Sequence, residues 1–170
     1  MTQSDIAAKI GAARSYLTAN PADARYRDAP ATARIEDGLR IRVEGRDGEA
    51  LVSDMVTGVG GGGTAPSPGW LFRAAYASCV ATLIAMRAAE RGVDVSTLEV
   101  TVDSESDDRG ILGIDESVPA GPLSMRVAIR VDPAADASII REIVDWGVAH
   151  CPVHDLVKRP VTVEVVTEHG

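Results

Sequence analysis

One stretch, Gly60 to Met86 (GGGGTAPSPGWLFRAAYASCVATLIAM), most constrains what this chain can fold into. Its opening glycines, Gly60 to Gly63, suit no regular element and give a flexible approach. Ser67-Pro68 then reads as an N-cap followed by proline at the first helical position, where the missing N–H costs nothing. From Trp70 to Met86 almost every residue is apolar or small, Arg73, Ser78 and Thr82 being the exceptions. Such a helix has little polar face to turn to water, and the pattern predicts a buried central helix that stops near Arg91-Gly92. The apolar run from Ala74 to Met86 is 13 residues, short of the roughly 20 that cross a bilayer. A core helix is therefore expected, with no membrane partner, and Cys79 lies in its middle.

At 170 residues the chain suits one domain of ordinary size with a real core. Seventeen basic residues stand against 25 acidic ones, a net charge of −8, and no basic block offsets it. Nucleic acid is not an expected partner. The N-terminus, MTQSDIAAKIGAARSYL, carries an acidic residue at position 5 and an amphipathic alternation instead of a positive end before an unbroken apolar region. No signal peptide is expected, and the expected location is cytoplasmic. Cys79 and Cys151 are the only cysteines. In a cytosolic protein such a pair is inert core, a metal site or redox chemistry, and a structural bridge is not expected.

Along the chain, Ser4 is expected to cap a first helix through about Ala19, with Ile6, Ile10, Ala13 and Leu17 on one face. Asn20-Pro21 ends it and residues 22–30 connect onward. ATARIE (31–36), LRIRVEG (39–45) and EALVSD (49–54) alternate apolar and polar residues. They are joined at Asp37-Gly38 and Asp47-Gly48, pairs that tolerate positive φ, which predicts a three-strand meander. After the central helix, 93–106 alternates as a long strand, Gly110 to Gly121 forms a loop, and 123–131 is the hairpin partner, broken by Asp132-Pro133. A second helix over 135–149 carries the stripe Ile139, Ile140, Ile143, Val144 and Val148, and a last strand is expected over 161–166. The order gives an α+β class: antiparallel sheets packed around a long buried helix, without the strand–helix alternation of parallel sheets. Residues 1–30 are expected to form an N-terminal helix and connector, and 31–170 a single domain.

Free cysteines often serve as small core hydrophobes, and that reading stays open for both. Cys151, between His150 and Pro152 at an element boundary, sits where backbone N–H groups of the next turn can face its sulfur. Cys79 differs, because burial alone raises a thiol pKa, so a nucleophilic Cys79 needs a cation brought to it. Lowering a thiol from about 8.5 to about 7 is worth about 2 kcal/mol. The meander offers Arg34, Arg40, Arg42 and Arg46. Arginines on alternating strand positions ordinarily form a solvated face, but a guanidinium stays charged when desolvated and donates to both thiolate and peroxide oxygen. The set His150, Cys151 and His154, with Cys79 from afar, also leaves zinc open as an alternative.

GRDGEALVSD (45–54), PSPGWLFRAAYASCV (66–80) after the glycine loop, and HCPVHDLV (150–157) together resemble the OsmC/Ohr family of osmotically induced and organic hydroperoxide resistance proteins. The resemblance runs in order from about residue 31 to 167. It implies an intertwined homodimer with sites at the subunit interface, and a cysteine peroxidase acting on organic hydroperoxides. By motif match, Cys79 is implied to be peroxidatic, Cys151 resolving and Arg46 activating. The implied reductant is a dithiol of the lipoyl type, and the implied chemistry uses no bound cofactor or metal. The peroxide-reducing branch carries a glutamate ten residues before the first cysteine to hold the arginine; here that position is Gly69. Glu44, Glu49 and Asp54 are the carboxylates that could replace it. The alternative within the same family is a non-catalytic dimer that binds an apolar small molecule.

Overall fold

The computed structural model describes residues 2–131 and 136–168. Its helices are α1 (Gln3–Ala19), α2 (Pro68–Arg91), a single turn α3 (Asp108–Ile111), α4 (Ala137–Ala149) and α5 (Pro152–Lys158). Its strands are β1 (Ala31–Asp37), β2 (Arg40–Gly45), β3 (Ala50–Ser53), β4 (Glu99–Glu105) and β5 (Ser124–Arg130). β1, β2 and β3 form one antiparallel sheet in chain order, and β4 and β5 form a second. This is the expected α+β architecture of antiparallel sheets and a long central helix.

The local signals act as physical chemistry requires at most boundaries. Ser67 Oγ accepts from Trp70 N at 3.2 Å, Pro68 opens α2, and Gly92 closes it in the left-handed region at φ 64°. Gly38 and Gly48 take φ of 54° and 95° at the two hairpin turns. The first helix is capped by Thr2 and not by Ser4, because Asp5 at the third helical position returns a bond to the Thr2 N–H and completes a capping box. The strand expected over 93–106 begins only at Glu99, since Asp94 folds its carboxylate onto Ser96 N and Oγ and makes a turn there. The Asp132-Pro133 break and Ala135 lie outside the described residues. Residues 161–168 form no strand, although Val161, Val163 and Val165 alternate as expected. Alternation makes a strand only where a sheet edge is available to pair with, and among the described residues none pairs with this segment.

The core is a stripe along α2, Tyr76, Val80, Ile84 and Ala88, closed by Ile143 of α4 and by Cys151. Burying the Val80, Ile84 and Ile143 side chains contributes roughly 1.5–3 kcal/mol each. Val100 and Val102 of β4 and Met125, Val127 and Ile129 of β5 lay the inner face of the hairpin against this stripe. By length and composition α2 would be enough to cross a membrane, but it packs on α4, α1, β4 and α5. The expectation of burial all round is not met: one face of α2 is covered, while Trp70 and Phe72 remain exposed. The meander is likewise uncovered, with β1 exposed along its whole length and Ile35 74 % exposed.

α2 and α4 run antiparallel. Arg87 pairs with Glu142, Ile84 lies on Gly147, Cys79 neighbours Cys151, and Tyr76 meets His154, so positions descend on α2 as they rise through α4 and α5. The closest approach is at Gly147, where a Cβ would stand 2.6 Å from Ile84 Cγ1 and 2.8 Å from the Ile84 backbone nitrogen. Alanine favours an exposed helix interior over glycine by about 1 kcal/mol, but here it must push two helices apart at a cost of roughly 1–3 kcal/mol. Gly147→Ala is expected to lower the urea midpoint; an unchanged or raised midpoint would contradict this packing.

Candidate active site

Cys79 and Cys151 come together from segments far apart in sequence. Cys79, half-buried on α2, packs against the core cluster in which Cys151 is fully buried. Both are free thiols. Cys151 precedes α5, and its Sγ accepts from His154 N at 3.4 Å. Burial pushes the Cys151 thiol above its ordinary value, and the Cys79 side chain beside it pushes further in the same direction; the His154 and Val153 N–H groups pull back. A buried thiol held protonated in this way is a poor nucleophile.

Two residues that were not read as a pair from the sequence complete the cluster. Tyr76, 3 % exposed, lies one turn before Cys79 and hydrogen-bonds through its hydroxyl to His154 Nδ1; their rings are 5.9 Å apart. Burial raises the Tyr76 phenol, and charge on Cys151 raises it further. The signal was present as two i,i+3 pairs, Tyr76 with Cys79 and Cys151 with His154, but only an antiparallel α2–α4 register makes them face each other. His150 points elsewhere: its ring stacks on Trp146 at 4.0 Å and its Nδ1 meets the Trp146 carbonyl. Among the described residues no three His, Cys, Asp or Glu side chains are grouped to hold a metal ion, so the zinc alternative gains no support from the geometry.

Arg46 is not brought to the thiols within the chain. It lines a 280 Å³ hollow on the meander with Ala29, Pro30, Val43 and Glu49, and among the described residues it makes no hydrogen bond or ion pair. The three carboxylates are otherwise engaged. Glu44 binds Arg42 at 2.8 Å and Arg34 at 3.4 Å, which holds its carboxyl below the ordinary value. Glu49 Oε2 lies over Gly45 and accepts from Asp47 N at 3.0 Å. Asp54, 2 % exposed, accepts from Met55 N, Gly62 N, Thr64 N and Thr64 Oγ1, and so organises the glycine loop that leads into α2. Gly69 faces Arg73, whose Nη1 would stand 3.7 Å from a Cβ placed there and which donates to Ser104 Oγ at 3.3 Å. Beside them a 420 Å³ concavity is walled by Met55, Pro68, Phe72, Ile111 and Pro122. Phe72 joins it to the cysteine cluster through its contact with Tyr76, ring centroids 6.5 Å apart.

This arrangement of a long helix and two antiparallel sheets is one already represented by solved structures. An OsmC-like protein from Mycoplasma pneumoniae has a TM-score of 0.67 at 12% identity, covering 79% of this chain and 89% of that one. The organic hydroperoxide resistance protein OsmC of Legionella pneumophila scores 0.57 at 20%, covering 79% and 91%, and OhrB of Bacillus subtilis 0.51 at 23%, covering 79% and 93%. At these identities the likeness is one of fold. The family model for OsmC-like protein matches residues 60–166, more than half of the sequence, and the chain belongs to that family. No relative matches among curated proteins.

The Asp54 cage has a pH signature. Thr64 above all, with Gly62 and Met55, holds its carboxyl down to about 2. A carboxylate depressed in the fold stabilises it above the unfolded value of about 3.9 and loses that contribution as pH falls towards its folded value. Asp54→Asn is expected to be less stable than wild type at neutral pH, with the gap closing between about pH 4 and pH 2. A gap in melting temperature that stays constant over that range would contradict it.

Proposed function

We propose that this protein is a thiol-dependent peroxidase that reduces organic hydroperoxides, with Cys79 as the peroxidatic and Cys151 as the resolving cysteine. The observation that carries the reading is the pairing itself: a half-buried thiol on the core helix beside a fully buried one. The Cys79 thiolate attacks a peroxide oxygen, forming an S–O bond as the O–O bond breaks. Sulfur is oxidised to sulfenic acid, and the hydroperoxide leaves as an alcohol after taking a proton. Cys151 then attacks Cys79, the S–S bond forms, and the oxygen departs as water with the Cys151 proton. A dithiol of the lipoyl type returns both cysteines to thiols by exchange.

The working form on this reading is an intertwined homodimer in the cytoplasm. Supporting it are the uncovered apolar surfaces, Ile35 and Leu51 on the meander, Trp70 and Phe72 on α2, and Val163, Val165 and Val166 in the C-terminal segment, Val165 being 85 % exposed. Such a surface on a lone chain would be an aggregation hazard. In the dimer Arg46, which makes no ion pair among the described residues, acts across the interface on a Cys79 thiol and supplies a cation there. The apolar concavity beside Phe72 suits a bulky alkyl group.

With a lipoyl dithiol as reductant, turnover of cumene or t-butyl hydroperoxide is expected from wild type, none from Cys79→Ser, and a loss of at least tenfold from Arg46→Ala. Equal peroxide consumption by wild type and Cys79→Ser would remove the enzymatic assignment and leave the non-catalytic apolar-ligand dimer.

A further inference from the structure

Resolution by Cys151 poses a difficulty that the two cysteines alone do not solve. Its thiol is fully buried and raised in pKa, yet it must shed its proton to attack a sulfenic sulfur. Something must favour the thiolate at that moment without exposing it to water. The groups that could do so are few. From α2 they are Tyr76 and Cys79; from α4 only His150, whose ring is held on Trp146. On α5 itself they are His154, Asp155 and Lys158, and Asp155 is committed to Arg159 at 2.6 Å. No arginine or lysine among the described residues is hydrogen-bonded to Cys151.

His154 is the residue connected to Cys151 on one side and to α2 on the other. Its backbone N–H is on the Cys151 sulfur. Its ring nitrogen Nδ1 is on the Tyr76 hydroxyl, and the Tyr76 ring is part of the same buried cluster as Cys151. A phenol can donate to a neutral imidazole nitrogen or accept from a protonated one by turning its hydroxyl, so this contact survives either state of the ring. It ties the first turn of α5 to α2 in the low-dielectric core, where a hydrogen bond to sulfur counts for more than at the surface.

We propose that Tyr76 and His154 are a positioning pair for Cys151: the Tyr76 hydroxyl anchors the His154 ring and so keeps the His154 backbone N–H on the sulfur, where it stabilises the thiolate that attacks oxidised Cys79. The pair deepens the peroxidase reading and rests on it for its purpose, although the effect on Cys151 exists without any peroxide. The step it assists balances without an added reagent. The S–S bond forms as the S–O bond breaks, the sulfenic sulfur is reduced as the Cys151 sulfur is oxidised, and the Cys151 proton ends on the departing water.

The test is a titration of the full-length protein carrying Cys79→Ser, so that Cys151 is the sole thiol. Thiolate absorbance near 240 nm is followed against pH, with the Cys79→Ser/Cys151→Ser protein subtracted to remove tyrosinate. Adding Tyr76→Phe, which keeps the ring and loses the hydroxyl, or His154→Gln, which keeps the backbone N–H and loses the imidazole, is expected to raise the midpoint by about one unit. That is about tenfold less thiolate at neutral pH. In the two-cysteine protein the same changes slow disulfide formation after a hydroperoxide pulse and move its pH profile upward. Midpoints unmoved in both variants overturn the proposal, and so does a shift with His154→Gln alone, since the phenol would then be idle. If Tyr76→Phe does not fold, an unmoved midpoint in His154→Gln is sufficient to overturn it. Shifted midpoints in a protein that turns over no hydroperoxide would sink the peroxidase reading and leave the pair intact.

Discussion

The structure depends on how closely α2 and α4 approach. With no side chain at Gly147, the α4 backbone comes to rest against the backbone of Ile84, and the antiparallel register of the two helices is set at that point. Everything of chemical interest follows from it. One turn beyond Gly147 the chain leaves α4 and delivers Cys151 opposite Cys79, and three residues later it delivers His154 opposite Tyr76. On the other side of the contact, Arg87 binds Glu142 and lies over the Trp146 ring at 5.3 Å, which fastens the outer end of the pair. Close packing of this kind tolerates little sliding. A slip by one residue would separate both pairs.

The chain is unevenly finished. Around Cys151 it is closed, with Val80, Ile84, Ile143 and Cys151 wholly buried. Away from them, valines, isoleucines and aromatic rings face water on the meander, on α2 and in residues 161–168. The same unevenness appears in the charges. Arg34, Arg40 and Arg42 are balanced by Glu36 and Glu44 on the sheet face, whereas Arg46 at the second hairpin has no such partner among the described residues. Two neighbouring free thiols in one place and, among the described residues, an unpaired Arg46 with an uncovered sheet in another are complementary, and the proposed dimer would bring them together.

Much of this was legible in the residues. Ser67-Pro68 and Gly92 bound α2, the two Asp-Gly turns shape the meander, and both cysteines stand out in the sequence itself. These signals are local, and local sterics settle them. What escaped depends on partners. The valines after Val161 alternate as a strand does, but pairing needs an edge that the single chain does not supply. Asp54 looked like a spare carboxylate and is the hub of the glycine loop, because four donors converge on it from residues that sequence spacing does not relate. His154 reads in the sequence as one of a zinc set; its contact with Tyr76 depends on a helix register that no single segment encodes.

The measurement that bears most directly on the account is the intact mass and peptide map of the reduced, native protein after one equivalent of cumene hydroperoxide, without reductant. The account predicts the loss of two hydrogens per chain and a single cross-link joining the peptides that carry Cys79 and Cys151. Oxygen retained on Cys79 with no such cross-link, or a protein unchanged in mass, would contradict it.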